Sequence, residues 1–520
     1  MKQWLLVGLA AAVLYVPTAD YGFVQDDRAI IVSNPAAHSI GAALGAFDDP
    51  YWPRETQAGL YRPLTILSYA IDWTISGGRP GWMHIINALW HGLATLLLVG
   101  VLARWLSPRA AAAAGVVFAW HPVHTEAVAS LVGRAELLVA VGILGAVLAA
   151  RRGWWVAAVA CAAVAMLSKE HGVIAGVVIL LDRWLQPAPQ APALEAWRMK
   201  GGEVFFWVAL GAVTIGYLIA WYFIGRAGAS DTAAVFYGRG PIGRLAIALP
   251  AVLRASVLLF WPVSLSSDYS PQVIPAYSGF SLAAVLGLCI VIAVPIVIAR
   301  YRRRAPAISF AVGLAALSYL PTSNLLFPSG VVLAERNLYL AVALPAAMIG
   351  VAWTGLEAMR GGARRAIATI GVLALVLGAR SLVRLPAWRD NRAQLLTLLQ
   401  EHPESYRGQA SAAAVLAGSG DTAGARWHYR LADSLSPGDP YLDAAHAIFL
   451  LELGDTAGAA PLVARLPARP ATVPSVNRVG WRARFLFELR RGNRAAAAAV
   501  ADSANRAFPG GDPWYRAYVQ

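Results

Sequence analysis

Two adjacent carboxylates, Asp26 and Asp27, stand in a polar stretch at residues 20–35 (DYGFVQDDRAIIVSNP), directly behind the first apolar run. A carboxylate within reach of a hydroxyl can take its proton and turn an alcohol into a nucleophile. Further polar groups recur at the ends of later apolar runs: Arg62 in YRP, His84 with Asn87 and His91, and His121, His124 and Glu126 in HPVHTE. Arg134 and Glu136 in GRAE, Lys169 and Glu170 in KEH, Asp268 and Tyr269 in SDYS, and Glu335 with Arg336 in ERN complete the series. The cations among them suit an anionic leaving group such as a phosphate. A charge at the bilayer centre costs about 2.5 to 3.5 kcal/mol on insertion scales, so groups this close to apolar runs need partners or a wet cavity.

Each of these residues also has an architectural reading. Paired aspartates behind a helix commonly cap the next one or stabilise a turn. His121 and His124 flank Pro122 and suit hydrogen-bonded loop positions as well as a metal pair. His84, Asn87 and His91, at i, i+3 and i+7, share a helical face that packing between helices would use. Arg134 with Glu136, and Lys169 with Glu170, can pair with charges of other loops. Asp26, Asp27, His121, His124 and Glu126 could together hold a divalent ion through hard ligands, but no spacing demands one and no tightly bound metal is expected.

The elements that must position these groups are membrane helices. Of 520 residues, 58% are hydrophobic and only 14% charged, which places the chain among polytopic membrane proteins. The net charge of +14 sits largely in short clusters between apolar runs, where it sets topology, so nucleic acid is not an expected partner. Cys161 and Cys289 both lie inside apolar runs and say nothing of compartment. Eleven spans are expected, near 3–19, 83–103, 110–121, 133–150, 154–168, 172–185, 204–224, 281–299, 306–320, 337–356 and 366–383. The first is a retained span, since it lacks a small-residue cleavage site.

Lys2, Arg104, Arg109, Arg151, Arg152, Arg183, Arg198, Lys200, Arg300, Arg302, Arg303, Arg304, Arg360, Arg364 and Arg365 all fall on one side if the run at 244–265 does not cross. Basic residues in short loops stay cytoplasmic. That run holds Pro250, Arg254 and Pro262 and reads as a re-entrant or interfacial helix. The amino terminus is then cytoplasmic, while the loop at 20–82 and everything beyond 384 are external.

Two regions follow, a membrane region at 1–384 and an Ala-, Arg- and Gly-rich tail at 385–520. The hexapeptide GDTAGA occurs at 420–425 and again at 454–459, 34 residues on, with a weaker copy from Gly492. Prolines follow at Pro437, Pro470 and Pro509. This is the helix-turn-helix period of tetratricopeptide repeats, and the expected fold is all-α: a membrane helical bundle followed by a short α-solenoid.

No GxxxxGK[ST] loop, GxGxxG turn or Cys/His zinc spacing is present, so nothing points to nucleotide hydrolysis or hydride transfer. An external site has no nucleotide supply, and group transfer there needs an activated donor carried in the membrane, such as a polyprenyl-phosphate-linked sugar. Asp26 or Asp27 suits the base, and Arg62, Arg134, Lys169 and Arg336 suit the departing phosphate.

The stretches FVQDDRAIIVSNP, LYRPLTILSYAID, HIINALWH, FAWHPVHTEAVASLVGRAELL, LSKEHG, SSDYS and AERNLYL occur in that order ahead of the repeats. Together they resemble the transmembrane and tetratricopeptide-repeat O-mannosyltransferases, multi-spanning glycosyltransferases of the type C fold. The resemblance covers roughly residues 20–340 and the tail. It implies transfer of mannose from a polyprenyl-phosphate donor to Ser or Thr hydroxyls of exported proteins, with the catalytic aspartate in the first external loop. Here that is Asp26 or Asp27, with Asp26 preferred as base and Asp27 orienting the acceptor or fixing the loop. The basic residues around the donor phosphate map onto Arg134, Lys169 and Arg336. His84, Asn87, His121, His124, Glu126, Glu136, Glu170, Asp268, Tyr269 and Glu335 are expected to line the substrate site.

The composition looks bacterial, which implies an undecaprenyl-type lipid, a multi-pass protein of the inner membrane and a periplasmic tail. Two alternatives stay open: a type C transferase acting on a lipid or polysaccharide, and a non-enzymatic scaffold whose repeats recruit periplasmic proteins.

Overall fold

A computed structural model describes residues 2–53, 59–186, 201–225, 232–274, 279, 281–359, 361–466, 474–507 and 513–515. Arg198, Lys200, Arg360, Pro470 and Pro509 lie outside them. All regular elements among the described residues are helices. Eight are long and apolar enough to cross a membrane: Lys2–Asp20, Pro80–Leu102, Leu131–Arg151, Gly201–Gly225, Pro241–Phe260, Leu282–Tyr301, Leu340–Glu357 and Gly362–Trp388.

The eleven expected spans are thus too many at full length. Those expected near 110–121, 154–168, 172–185 and 306–320 fall on helices of 13, 14, 10 and 14 residues: α5 (Pro108–Trp120), α8 (Trp155–Ser168), α9 (Ala175–Trp184) and α13 (Pro306–Tyr319). At 1.5 Å per residue a 13-residue helix covers about 20 Å of a roughly 30 Å hydrocarbon layer. Polar sequence ends three of them: His121 follows α5, and Lys169 to Gly172 separate α8 from α9. The charged groups are therefore drawn into the depth of the bundle.

The segment at 244–265 departs from the re-entrant half of its expectation. Most of it lies on one unbroken helix, α11 (Pro241–Phe260), that runs through Pro250 without a re-entrant turn. One end meets the polar face, where the imidazole of His121 lies 3.1 Å from the carbonyl of Leu259. At the other end Arg244 donates to the carbonyl of Leu325 (3.2 Å), in the loop that leads to Glu335 and Arg336.

Small residues let the bundle close. A Cβ on Gly92 in α4 (Pro80–Leu102) would sit 2.7 Å from the carbonyl oxygen of Gly8 in α1 (Lys2–Leu14). One on Gly142 in α7 (Arg134–Arg151) would meet Cys161 O of α8 at the same distance. Close backbone approach of this kind is how apolar helices associate where hydrophobic burial gives no advantage over lipid. Basic residues gather at the end opposite the polar face: Arg151 pairs with Asp182 (2.5 Å) and donates to Val101 O, and Arg109 pairs with Glu357 (3.0 Å).

The stretch between α1 and α4 is itself partly helical. It holds α3 (Pro63–Ser76), started by Pro63 and ended by Gly77 at φ +66°, and its Thr65 hydroxyl donates to Ser168 O (2.8 Å) at the end of α8. Beyond residue 388 come α16 (Asn391–Glu401), α17 (Tyr406–Gly418), α18 (Thr422–Leu435), α19 (Pro440–Glu452), α20 (Thr456–Arg465), α21 (Pro474–Arg490) and α22 (Arg494–Ala507). From Tyr406 onward they bury a core of their own. The two GDTAGA copies fall on equivalent turns. Gly420 and Gly454 take φ +88° and +80°, and Asp421 and Asp455 each cap the next helix by accepting a backbone N–H, from Gly424 and Gly458, at 2.8 Å.

Candidate active site

The loop after α1 uses its two aspartates differently. Both carboxylate oxygens of Asp27 accept backbone N–H bonds, from Val24 and from Val132 just before α7, each at 2.9 Å. The residue is fully buried, and burial, against those two donors, pushes its carboxyl up to about 7. Asp27 thus staples the loop to the bundle. Asp26 is half-buried, has no hydrogen-bond donor on its carboxylate among the described residues, and lies within electrostatic reach of Arg336 and Tyr51. Gln25, immediately before it, sits at φ +46°, in the left-handed region.

Three cations from three elements gather beside the loop, and one of them, Arg336, lies within electrostatic reach of Asp26. Arg62, at the start of α3, holds Glu170 through Nε (3.1 Å) and Nη2 (2.8 Å), with its guanidinium 4.8 Å over the ring of Tyr51. Lys169 pairs with Glu136 of α7 and lies 3.2 Å from Asn337 Oδ1. Burial pulls its ammonium below the ordinary lysine range, against the pull of Glu136. Arg336 gives its backbone N–H (2.9 Å) and Nη1 (3.0 Å) to Glu126. The three sense one another electrostatically. Arg62 Nη1 and Arg336 Nη2 have no hydrogen-bond acceptor among the described residues, so the centre keeps N–H donors for an anion beside an unencumbered carboxylate. That combination can deprotonate a hydroxyl and stabilise a departing phosphate.

Arg134 is not part of this centre. Its side chain is 0% exposed and pairs with Asp72 (2.5 Å), while Nε donates to Asn87 (2.7 Å), Nη2 to Met83 O (2.9 Å) and Nη1 to Ser68 O (3.3 Å). Its role is to pin α3 and α4 to α7. Asn87 is spent in the same cluster. His84 sits against Gly22 O (3.3 Å), His121 against Leu259 O and His124 against Tyr339 O (3.0 Å), all buried in packing positions. Glu126, Glu136 and Glu170 do line the centre, as partners of its cations.

Asp268, Tyr269 and Glu335 form a separate group. Tyr269 donates to Glu335 (2.8 Å), whose same oxygen takes the Ser266 N–H (2.6 Å), and Asp268 accepts from Ser405 of the tail (2.7 Å). Among the described residues no three His, Cys, Asp or Glu side chains are grouped to hold a metal. The set Asp26, Asp27, His121, His124 and Glu126 is divided between backbone contacts, packing and Arg336.

Sequence reading missed Tyr51, Asp72 and His171. Asp72 was detectable in principle, because a carboxylate inside the apolar run of α3 needs a buried cation. His171, 3.3 Å from Glu136, follows directly on the KE pair. Tyr51 sits in an irregular loop, and neither spacing nor periodicity marks it.

No family model matches the chain. Among curated proteins it is 27% identical over 488 residues to protein O-mannosyl-transferase TMTC4 of Mus musculus, which covers 82% of this chain and 65% of that one. To TMTC3 of the same species it is 28% identical over 373 residues, 65% of this chain and 40% of the other. A shorter segment of 133 residues, 24% of this chain and 14% of the relative, is 41% identical to Tmtc2 of Drosophila melanogaster. Among solved structures, ArnT from Cupriavidus metallidurans bound to undecaprenyl phosphate aligns over 97% of this chain and 80% of its own, at 15% identity and a TM-score of 0.41. The chain spans 40% to 65% of the length of the first two of these relatives. It is a multi-pass membrane protein distantly homologous to the TMTC protein O-mannosyl-transferases.

Proposed function

We propose that the chain is a membrane glycosyltransferase that moves a sugar, mannose by its homology, from a polyprenyl-phosphate donor to Ser or Thr hydroxyls of exported proteins. The observation that carries this reading is the cluster of Arg62, Lys169 and Arg336, with Asp26 within reach of Arg336, at the polar end of an apolar bundle. Similarity to protein O-mannosyl-transferases supports mannose and a protein acceptor. Asp26 takes the acceptor hydroxyl's proton as that oxygen forms a bond to the anomeric carbon. The bond from that carbon to the donor phosphate oxygen breaks, and the phosphate departs on its lipid, its charge held by Arg336, Arg62 and Lys169. Asp27 and Arg134 hold the loop and the helices.

The polar face is then external, the basic end cytoplasmic, and α11 lies along the polar side. The paired tail helices, with their repeated Gly-Asp turn, support a tetratricopeptide array that receives the acceptor. The test is Asp26→Asn in the full chain, reconstituted in bilayers with polyprenyl-phosphate mannose and a Ser/Thr peptide. Loss of a general base costs about 10²- to 10⁴-fold. Transfer within a few-fold of wild type, by a variant that melts normally, would remove Asp26 from the chemistry.

A further inference from the structure

The tail reaches the loop that carries Asp26. After α15 (Gly362–Arg384), a single-turn helix at Leu385–Trp388 buries Leu385 and Trp388 in the membrane region's core and fixes where α16 begins. Asp390 caps α16 by accepting the Ala393 N–H (2.8 Å). The chain on either side of that cap is hydrogen-bonded to the loop. Gly22 donates its N–H to Arg389 O (3.0 Å), and Gln25 donates its N–H to the side-chain oxygen of Asn391 (2.8 Å). A second contact of the same tail, Ser405 on Asp268, holds a neighbouring external loop.

Gln25 is where this matters. At φ +46° it occupies a backbone region that costs a non-glycine residue on the order of 1 to 3 kcal/mol and persists only where surrounding contacts impose it. The residue after it is Asp26. The loop has two anchors: Asp27, clamped to Val24 and Val132 from the bundle side, and Asn391, holding the Gln25 amide from the tail side. Between them the backbone direction of Asp26 is set.

We infer that Asn391 is a positioning residue for Asp26, so that the first tail helix belongs to the catalytic unit and is not only a platform for acceptors. This rests on the reading of Asp26 as the base. Asn391 is exposed, and water can replace its bond to Gln25 with little loss of fold stability. What water cannot do is hold the left-handed turn. Removing the side chain should therefore act on turnover and leave donor binding and melting unchanged.

The experiment uses the full chain in bilayers with polyprenyl-phosphate mannose and a Ser/Thr peptide. It compares Asn391→Ala, Asn391→Asp, Gln25→Gly with Asn391→Ala, and Asp26→Asn. Kinetics are read together with hydrogen exchange of the backbone at 22–28. Asn391→Ala should lower kcat about three- to tenfold, the equivalent of one net hydrogen bond, with KM for the donor unchanged and faster exchange at Gln25. Asn391→Asp, which keeps the accepting oxygen, should restore kcat and protection. Glycine at position 25 takes the turn without penalty and should recover part of the loss.

Wild-type kcat and wild-type exchange in Asn391→Ala, alongside an inactive Asp26→Asn, would overturn the inference and leave the base assignment standing. An active Asp26→Asn would sink the base assignment and the catalytic role of the tether with it.

Discussion

Arg134 and the pair Arg62 and Arg336 stand in equivalent places in the sequence, each at the polar end of an apolar run, and each has a carboxylate partner. The structure gives them opposite environments. Around Arg134 every guanidinium nitrogen is engaged, by Asp72, Asn87, Ser68 and Met83, and the side chain is wholly enclosed. Arg62 and Arg336, with side chains 13% and 27% exposed, spend only part of their donors on Glu170 and Glu126, and Arg336 lies within electrostatic reach of Asp26. Charge is common to both regions. What separates a binding group from a brace is the hydrogen-bonding capacity left over once the fold has taken its share.

The widest separation should come from removing one arginine of each kind. Arg134→Ala leaves Asp72 as an unpaired buried charge and should cost about 3 to 5 kcal/mol, so that the protein accumulates poorly or melts far below wild type. Arg336→Ala should melt close to wild type but lose about 10²- to 10³-fold in turnover, as expected for a donor aimed at developing charge. Melting curves and transfer rates of the two variants decide the matter. An Arg134→Ala protein of normal stability that fails only in donor binding would erase the distinction.

That distinction could not be read from the sequence. The helical nature of the chain, the membrane region and the charged clusters were legible because apolar runs and their interruptions are local features. The four short helices were harder, since the point at which α5 or α8 stops depends on how deep His121 and Lys169 are drawn into the bundle. The sequence also put Arg134 and Lys169 in one class, because each stands at an end of an apolar run with a glutamate one or two residues on. Only the arrival of Asp72 from α3 and Asn87 from α4 at Arg134 tells them apart, and those contacts span dozens of residues. The tether from Asn391 to Gln25 crosses most of the chain and left no local trace at all.

A smaller test lies inside one dipeptide. Asp27 accepts two buried N–H groups, and an asparagine there can accept with only one of its two terminal atoms, turning an N–H donor toward another donor. Asp27→Asn should therefore destabilise the protein by about 1 to 3 kcal/mol. Asp26→Asn breaks no such bond and should melt as wild type does. Thermal unfolding of the two single variants measures this directly, and equal melting temperatures would mean that Asp27 is not the staple its bonds indicate.

The subtlest contrast is in pH. Glu335, sealed between Tyr269 and Ser266, has its carboxyl raised to about 7 by burial, with Arg384 opposing, and Asp27 is raised similarly. A carboxyl whose folded pKa lies above its unfolded value near 4.3 binds its proton more tightly in the folded chain. Its stabilisation is complete below the unfolded pKa and is lost as pH rises through about 7. Glu170, in the open centre, behaves in the reverse sense. Burial raises its carboxyl, but Arg62 more than offsets this and holds it below the ordinary range, so its contribution fades only on the acid side. The melting temperature should accordingly fall between pH 5 and pH 8. Glu335→Gln, neutral throughout, should reduce that slope and be relatively most stable at pH 8. Parallel curves for wild type and variant would show that Glu335 stays ionised across the range, and that the sealed region tolerates a buried charge as readily as the open one.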